Sequence, residues 1–297
     1  MTDLYLRPTG FIDSPQRHDG ESARLAGTML WFSQLEVIDR TGETTIRRVI
    51  DVRDWAGFVA GLSTDKHARC NLLHARITAP RTALQLGERT IRLDQPQVMG
   101  IINMTPDSFS DGGKNADIEA AAEAAFAMTS AGAAMIDIGG ESTRPGAPLV
   151  WEGDEIARVE PLIKRLAASG TAISIDTRKA EVMEAAVGAG ATMINDVSAL
   201  LFDDRALEVA KALNAPVVLM HAPSQSTDPH KGGDYDDVVT NVFDWLEARV
   251  DAVEAAGISR DKILVDPGIG FGKSLSDNVA ISNSLSIYLG LGCPILF

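Results

Sequence analysis

The sequence predicts an α/β protein built as a (β/α)8 barrel, and three observations predict it. Short apolar runs alternate with longer helical patterns from Gln97 onward. Each strand–helix unit is about 25–45 residues long, as barrel units are. The runs also end alike, each on a polar residue. Val98 to Ile102 ends at Asn103, Ala134 to Ile138 leads into Gly139-Gly140-Glu141, and Ile173 to Ile175 ends at Asp176. Met193-Ile194 ends at Asn195-Asp196, Val217 to Met220 at His221, and Ile263 to Val265 at Asp266. Polar groups repeated at strand C-termini place an active site on one face of a parallel sheet. A doubly wound sheet is the alternative reading of the same alternation.

Residues 1–95 differ from the rest. Thr44 to Val52 and Arg89 to Leu93 read as short strands and Asp54 to Leu62 as a short helix. No chemical constellation stands among them, so a small accessory region beside the barrel is expected, with no role assigned. From residue 96 the barrel begins. Strands fall near 98–103, 134–138, 172–176, 193–197, 216–220 and 263–266. The first helix, Asp117 to Ala131, is Ala-rich and stops before Gly132, a natural C-cap. Glu152 to Ala168, Lys179 to Ala189, Asp204 to Leu213, Asp236 to Ala256 and Leu275 to Leu289 supply the others. Pro161 is expected to kink its helix or start a second segment. Pro294-Ile295-Leu296-Phe297 reads as a seventh strand. An eighth strand and two further helices find no residues in the 297. The barrel is therefore expected to be incomplete, with about seven strands and its apolar interior open on one side. Either the sequence belongs to a longer protein or another segment fills the gap.

Composition narrows the class. Apolar residues make up 45% and the mean hydropathy is +0.03, values of an ordinary globular protein. No apolar run approaches a spanning helix, and the first residues lack the basic start and apolar core of a signal peptide. A cytoplasmic protein without membrane partners is expected. Cys70 and Cys293 match no metal or redox spacing and read as buried, inert thiols. A net charge of −14 argues against nucleic acid as a partner but not against a phosphorylated small molecule. Local Arg, Lys, helix N-termini and a bound cation decide that.

Three motifs carry the chemistry. The first runs from Asn103 through Met104-Thr105-Pro106-Asp107-Ser108-Phe109 to Ser110-Asp111-Gly112-Gly113. The second is Glu141-Ser142-Thr143-Arg144-Pro145-Gly146, and the third is Asp266-Pro267-Gly268-Ile269-Gly270-Phe271-Gly272-Lys273. Together they resemble the dihydropteroate synthases of folate biosynthesis, the family that sulfonamides target. The resemblance covers Val98 to Phe297, roughly 200 of the 297 residues, and leaves the N-terminal extension unexplained.

The resemblance implies a transferase that joins 4-aminobenzoate to a dihydropterin pyrophosphate and releases pyrophosphate. Such a site holds a flat heterocycle by its hydrogen-bonding edge, stabilises a doubly phosphorylated leaving group and admits an arylamine from the far side. Asp176, Asn195 and Asp266 match the family's pterin ligands, and Met220 the residue packed against the ring. Carboxylates suit the two-donor amidine edge of a pterin. Met220 taken alone reads equally as core, and a strand-end Asp as a helix cap. Asn103 matches the residue that holds Mg2+ or pyrophosphate oxygens, and Arg144 an anion clamp. Thr143, Arg144, Pro145 and Phe109 fall on two loops implied to lie over the arylamine. Phe271 is an arylamine contact or a core residue, and Lys273 a rim cation or a solvated side chain. Asp137 orients neighbours, His221 packs or supports, and His230 reads as solvated.

The implied mechanism is a dissociative substitution. Pyrophosphate leaves first, helped by Mg2+, Arg144 and helix N-termini. The pterin cation then sits in the negative field of Asp176 and Asp266, and the neutral amine attacks. No covalent nucleophile is evident. Full-length members also carry a Ser-Arg-Lys segment after strand 7 and an Arg-x-His segment after strand 8, and neither occurs here. A homodimer is in doubt for the same reason, because the family's dimer contacts use late helices. Two other readings stay open: a non-catalytic chain that binds pterin or a partner, and a pterin-binding methyltransferase. The first two loops speak against the latter.

Overall fold

The computed structural model describes residues 3–13, 20–42, 44–105, 114–224 and 228–297. Phe109 and the centre of the first loop lie outside them.

The catalytic half is one parallel sheet of six strands: β7 (Val98–Asn103), β8 (Ala133–Gly139), β9 (Ile173–Asp176), β10 (Met193–Asp196), β11 (Val217–Met220) and β12 (Ile263–Asp266). Each strand pairs with its sequence neighbours and all pairs are parallel. A doubly wound sheet reverses direction at a switch point; here the order never reverses. The fold is an incomplete (β/α)8 barrel. The expected seventh strand only begins: Ile295 makes one parallel bridge to Val265, and 294–297 form no strand. The edge strand β7 accordingly leaves Val98 64% and Ile101 60% exposed.

Between the strands run α3 (Lys114–Ser130), α4 (Glu152–Ala167), α5 (Ala180–Ala189), α6 (Ala206–Leu213), α7 (Val238–Ala255) and α8 (Leu275–Asn283). Side chains alternate across a strand, and this decides what each face meets. Ile136, Ile138, Ile173, Ile175, Ile194, Val217, Leu219, Ile263 and Val265 join the core under the helices. Met135, Met193, Val218 and Leu264 point the other way into the barrel, where a hairpin of β5 (Leu84–Leu86) and β6 (Arg89–Ile91) closes the floor with Leu84, Leu86 and Ile91. α4 runs through Pro161 as one helix rather than starting a second segment there. Val159, Leu162, Ile163 and Leu166 bury one stripe of that helix, which outweighs the lost backbone bond. The last predicted helix does stop early, at Asn283, and continues as a 3-10 turn over Leu285–Leu291.

The N-terminal region holds more structure than its sequence suggests. Strands β1 (Leu4–Ile12), β2 (Ala23–Arg24), β3 (Trp31–Thr41) and β4 (Thr44–Asp51) form an antiparallel sheet centred on β3. Two helices follow, α1 (Trp55–Ala60) and α2 (Thr64–Thr78). Pro8 in β1 disguised the first strand; it is tolerated because β1 lies at the edge. Leu35 and Ile38 of β3 and Cys70, Leu73 and Ile77 of α2 share one core with Phe243 of α7 and with Tyr288. Both cysteines are buried and free. Among the described residues no helix is long and apolar enough to cross a membrane.

Candidate functional site

Strand parity builds the site. Asn103, Asp137, Asp176, Asn195, Met220 and Asp266 occupy inward-facing positions at the C-terminal ends of six consecutive strands. Asp137, Asn195, Met220 and Asp266 lie two residues beyond Met135, Met193, Val218 and Leu264 of the barrel interior. They line a single cavity of about 710 Å3 together with Thr143, Val197 and Phe271. Seven predicted residues, Asn103, Thr143, Asp176, Asn195, Met220, Asp266 and Phe271, therefore come together.

The Asn103 amide and the Asp176 carboxylate both reach its floor. Gly139 sits beneath them, and a Cβ there would meet Asn103 Oδ1 at 3.3 Å and Asp176 Oδ2 at 3.4 Å. Two oxygens thus converge where only hydrogen leaves room. The Asn195 amide donates to Asp137 Oδ2 at 3.1 Å, which orients both groups, while Asp137 Oδ1 is buried without a partner. Asp266 Oδ1 accepts the Gly268 N–H at 2.6 Å. Burial pushes the Asp137 and Asp266 carboxyls up to about 6, against 3.8 ordinarily. Asp176 is raised well above that range by burial and by the neighbouring Asp137 and Asp196 charges. The cavity is a negative pocket short of donors, suited to a ligand edge rich in N–H groups.

Other predicted residues take different positions. Arg144 and Pro145 are exposed on the turn that carries Thr143 and do not line the cavity. Lys273 does not line it either. Its ammonium donates to the carbonyls of Gly268 (2.7 Å), Phe271 (3.1 Å) and His221 (3.3 Å), bracing the loop behind Asp266. Burial pushes this amine down to about 8. His221 is buried against Trp245, edge to face at 5.0 Å, a packing role. Burial pushes its imidazole down to about 3.

Two features of the site escaped the sequence. One is a buried ionic cluster under the second loop. Lys179 donates to Glu141, Glu155 and the Val150 carbonyl, each at 2.6 Å, and Arg178 donates twice to Glu141. Glu141 also accepts the Val150 N–H at 2.9 Å, so both ends of the 141–150 loop are tied to one carboxylate. Lys179 follows Asp176-Thr177-Arg178 directly, and that run of charge after a strand was the available signal. The other is His230, which bridges two loops instead of facing solvent.

Among the described residues no group of three or more His, Cys, Asp and Glu could hold a metal ion by itself.

Fold and site define a class: an α/β barrel whose strand ends present carboxylates and amides to one cavity. The pterin binding enzyme family matches residues 99–297. A dihydropteroate synthase of Bacillus subtilis is 44% identical over 216 residues, covering 72% of this chain and 71% of that one. A "probable bifunctional folylpolyglutamate synthase/dihydropteroate synthase" of Haloferax volcanii is 48% identical over 203 residues, 68% of this chain but only 24% of that longer one. Among solved structures, the Xanthomonas albilineans dihydropteroate synthase with 4-aminobenzoic acid superposes with a TM-score of 0.67 at 48% identity, covering 72% of this chain and 77% of that one. This chain belongs to the dihydropteroate synthase family, the pterin-binding transferases of folate biosynthesis.

Proposed function

We propose that this chain joins 4-aminobenzoate to 6-hydroxymethyl-7,8-dihydropterin pyrophosphate, giving 7,8-dihydropteroate and pyrophosphate by a dissociative substitution. One observation carries the reading: six strand ends line a single cavity with carboxylates and amides, and one buried oxygen there, Asp137 Oδ1, has no partner. The pterin amidine edge donates to Asp266 and Asp176, and Asn195 reads a further ring position. Met220 packs on the ring face. Asn103 and the exposed Arg144 face the diphosphate, the first through its amide, the second as a clamp from the second loop. Mg2+ bound at Asn103 and the phosphate oxygens would offset the charge of the leaving group. As the carbon–oxygen bond breaks, positive charge grows on the pterin methylene, and Asp176 and Asp266 stabilise it without rearranging. The arylamine approaches along Thr143 and Phe271, and its nitrogen attacks the methylene and then loses a proton to solvent or to the departing phosphate. Exclusion of water by the loops protects the cation from hydrolysis.

The test is dihydropteroate formation by this 297-residue chain with Mg2+ and both substrates, beside pterin titration by calorimetry. Asp176→Asn and Asp266→Asn are each expected to weaken pterin binding by about 10- to 100-fold, the worth of a charged hydrogen bond. Arg144→Ala should weaken pyrophosphate and leave pterin affinity intact. Unchanged pterin affinity in both Asp variants refutes the reading.

A further inference from the structure

We propose that His230 is a positioning residue for the arylamine side of the cavity, clasping the loop after β8 to the loop after β12. The inference rests on the reading above and extends it to a residue that touches neither substrate. His230 stands on the loop after β11. Its Nε2 lies 2.8 Å from the carbonyl oxygen of Thr143, and its Nδ1 lies 3.2 Å from that of Gly270. Its ring stacks on Phe271, centroids 4.6 Å apart and planes 13° from parallel. Thr143 and Phe271 both line the cavity, so one imidazole sets the spacing of two walls that come from separate loops.

The clasp has a firm base. The His230 N–H donates to Asp228 Oδ1 at 2.9 Å, which shapes its turn. The loops after β11 and β12 meet backbone to backbone at glycines. A Cβ at Gly233 would fall 2.0 Å from the Gly272 carbonyl oxygen, and one at Gly272 would fall 2.3 Å from Pro223 and 3.0 Å from the His230 carbonyl oxygen. Both ring nitrogens face acceptors, so a neutral imidazole donates to one loop and the imidazolium to both. Imidazole combines a flat stacking face with a nitrogen on each of two edges. A slot between Thr143 and Phe271 held at constant width suits a planar aromatic amine and rejects a puckered one. The pterin end of the cavity, built on strands, does not depend on it.

Two measurements on the whole chain test this. Hydrogen–deuterium exchange without substrate reads the clasp; calorimetry reads 4-aminobenzoate affinity with 6-hydroxymethylpterin, Mg2+ and pyrophosphate present. In His230→Ala, exchange should rise together at 142–147 and 268–272, and arylamine affinity should fall about tenfold while pterin affinity holds. His230→Phe, which keeps a stacking ring but no donor, should recover part of the affinity and leave the 142–147 amides unprotected. Unchanged exchange in both loops overturns the clasp. Arylamine and pterin affinities falling in parallel, or an unchanged arylamine affinity beside intact pterin binding, overturns the positioning role. A chain that binds no pterin, with Asp176→Asn indistinguishable from it, refutes the proposed function and the arylamine role together, whereas exchange still decides whether His230 joins the loops.

Discussion

Asp266 carries a charge that its surroundings resist. Burial raises its carboxyl to about 6 from 3.8, although the Gly268 N–H and Lys273 pull the other way. The sign of the linkage follows. Below about pH 4 the group is protonated folded and unfolded alike. Between there and 6 the unfolded chain releases its proton first, so stability falls as pH rises through this window. Asp137, also raised to about 6, acts in the same sense. Asp266→Asn should flatten the loss between pH 4 and 7 by on the order of 2 kcal/mol, read from urea unfolding at several pH values. Pterin affinity should run the opposite way, falling as pH drops below about 6 because the protonated carboxyl accepts poorly from the amidine edge. At this scale Met220 came from the family resemblance alone, whereas the rim positions of Asp176, Asn195 and Asp266 were legible, because an apolar strand ending on a polar residue reveals both its place and its parity. Lys273 was not. Its lysine reads as a cation, and only the fold supplies the three carbonyls that hold the ammonium away from the cavity.

The loop from Glu141 to Val150 owes its shape to side chains on other elements. Lys179, at the entrance to α5, holds Glu141 and Glu155 at once, and all three side chains are at most 7% exposed. Burial pushes both carboxyls up; Lys179, the Val150 N–H and Arg178 outweigh it at Glu141, while Lys179 and Thr177 do not at Glu155. Removing the ammonium would leave two buried carboxylates without their counter-charge. Lys179→Met is expected to cost about 3–5 kcal/mol in denaturant unfolding, and the added change Glu155→Gln to restore part of it. Full stability in Lys179→Met would mean that the cluster contributes nothing to holding the loop. Elements of regular period were readable, since helix and strand spacing is a local signal. The cluster was not, because its members are 24 to 38 residues apart and meet only when β8, β9 and α4 pack.

The N-terminal sheet is joined to the barrel through α7. Arg69 grips both oxygens of Glu247 at 2.7 and 2.8 Å, and Arg76 adds a third bond at 3.1 Å. Tyr5 donates to Asp244 at 2.8 Å and packs edge to face on Phe243 at 5.4 Å. Glu247→Ala strips two half-buried guanidinium groups of their partner. It should lower stability by about 2–4 kcal/mol, seen as a lower Tm, while leaving pterin affinity unchanged because the site lies on strand ends remote from this contact. Loss of pterin affinity in a folded Glu247→Ala chain would show that the extension supports the site. Beside this joint an apolar groove of about 790 Å3 runs between Phe11, Met29 and Leu30 of the N-terminal region and Met99 and Leu264 of the barrel. The sequence expected an open side, and the structure adds that the N-terminal region forms one of its walls.

By itself the sequence determined the alternation of strands and helices from residue 96 onward and the end of the barrel that bears the polar residues. Those follow from short-range alternation and from polar residues placed at strand ends, which need no knowledge of distant contacts. Tertiary structure alone decided which polar groups point at ligand and which at backbone: Lys273 bracing a loop, Arg178 and Lys179 neutralising buried carboxylates, and His230 tying Thr143 to Phe271. Curvature of the six-stranded sheet brings those loops within hydrogen-bond reach, and curvature is a sum over every strand pair that no local stretch of sequence encodes.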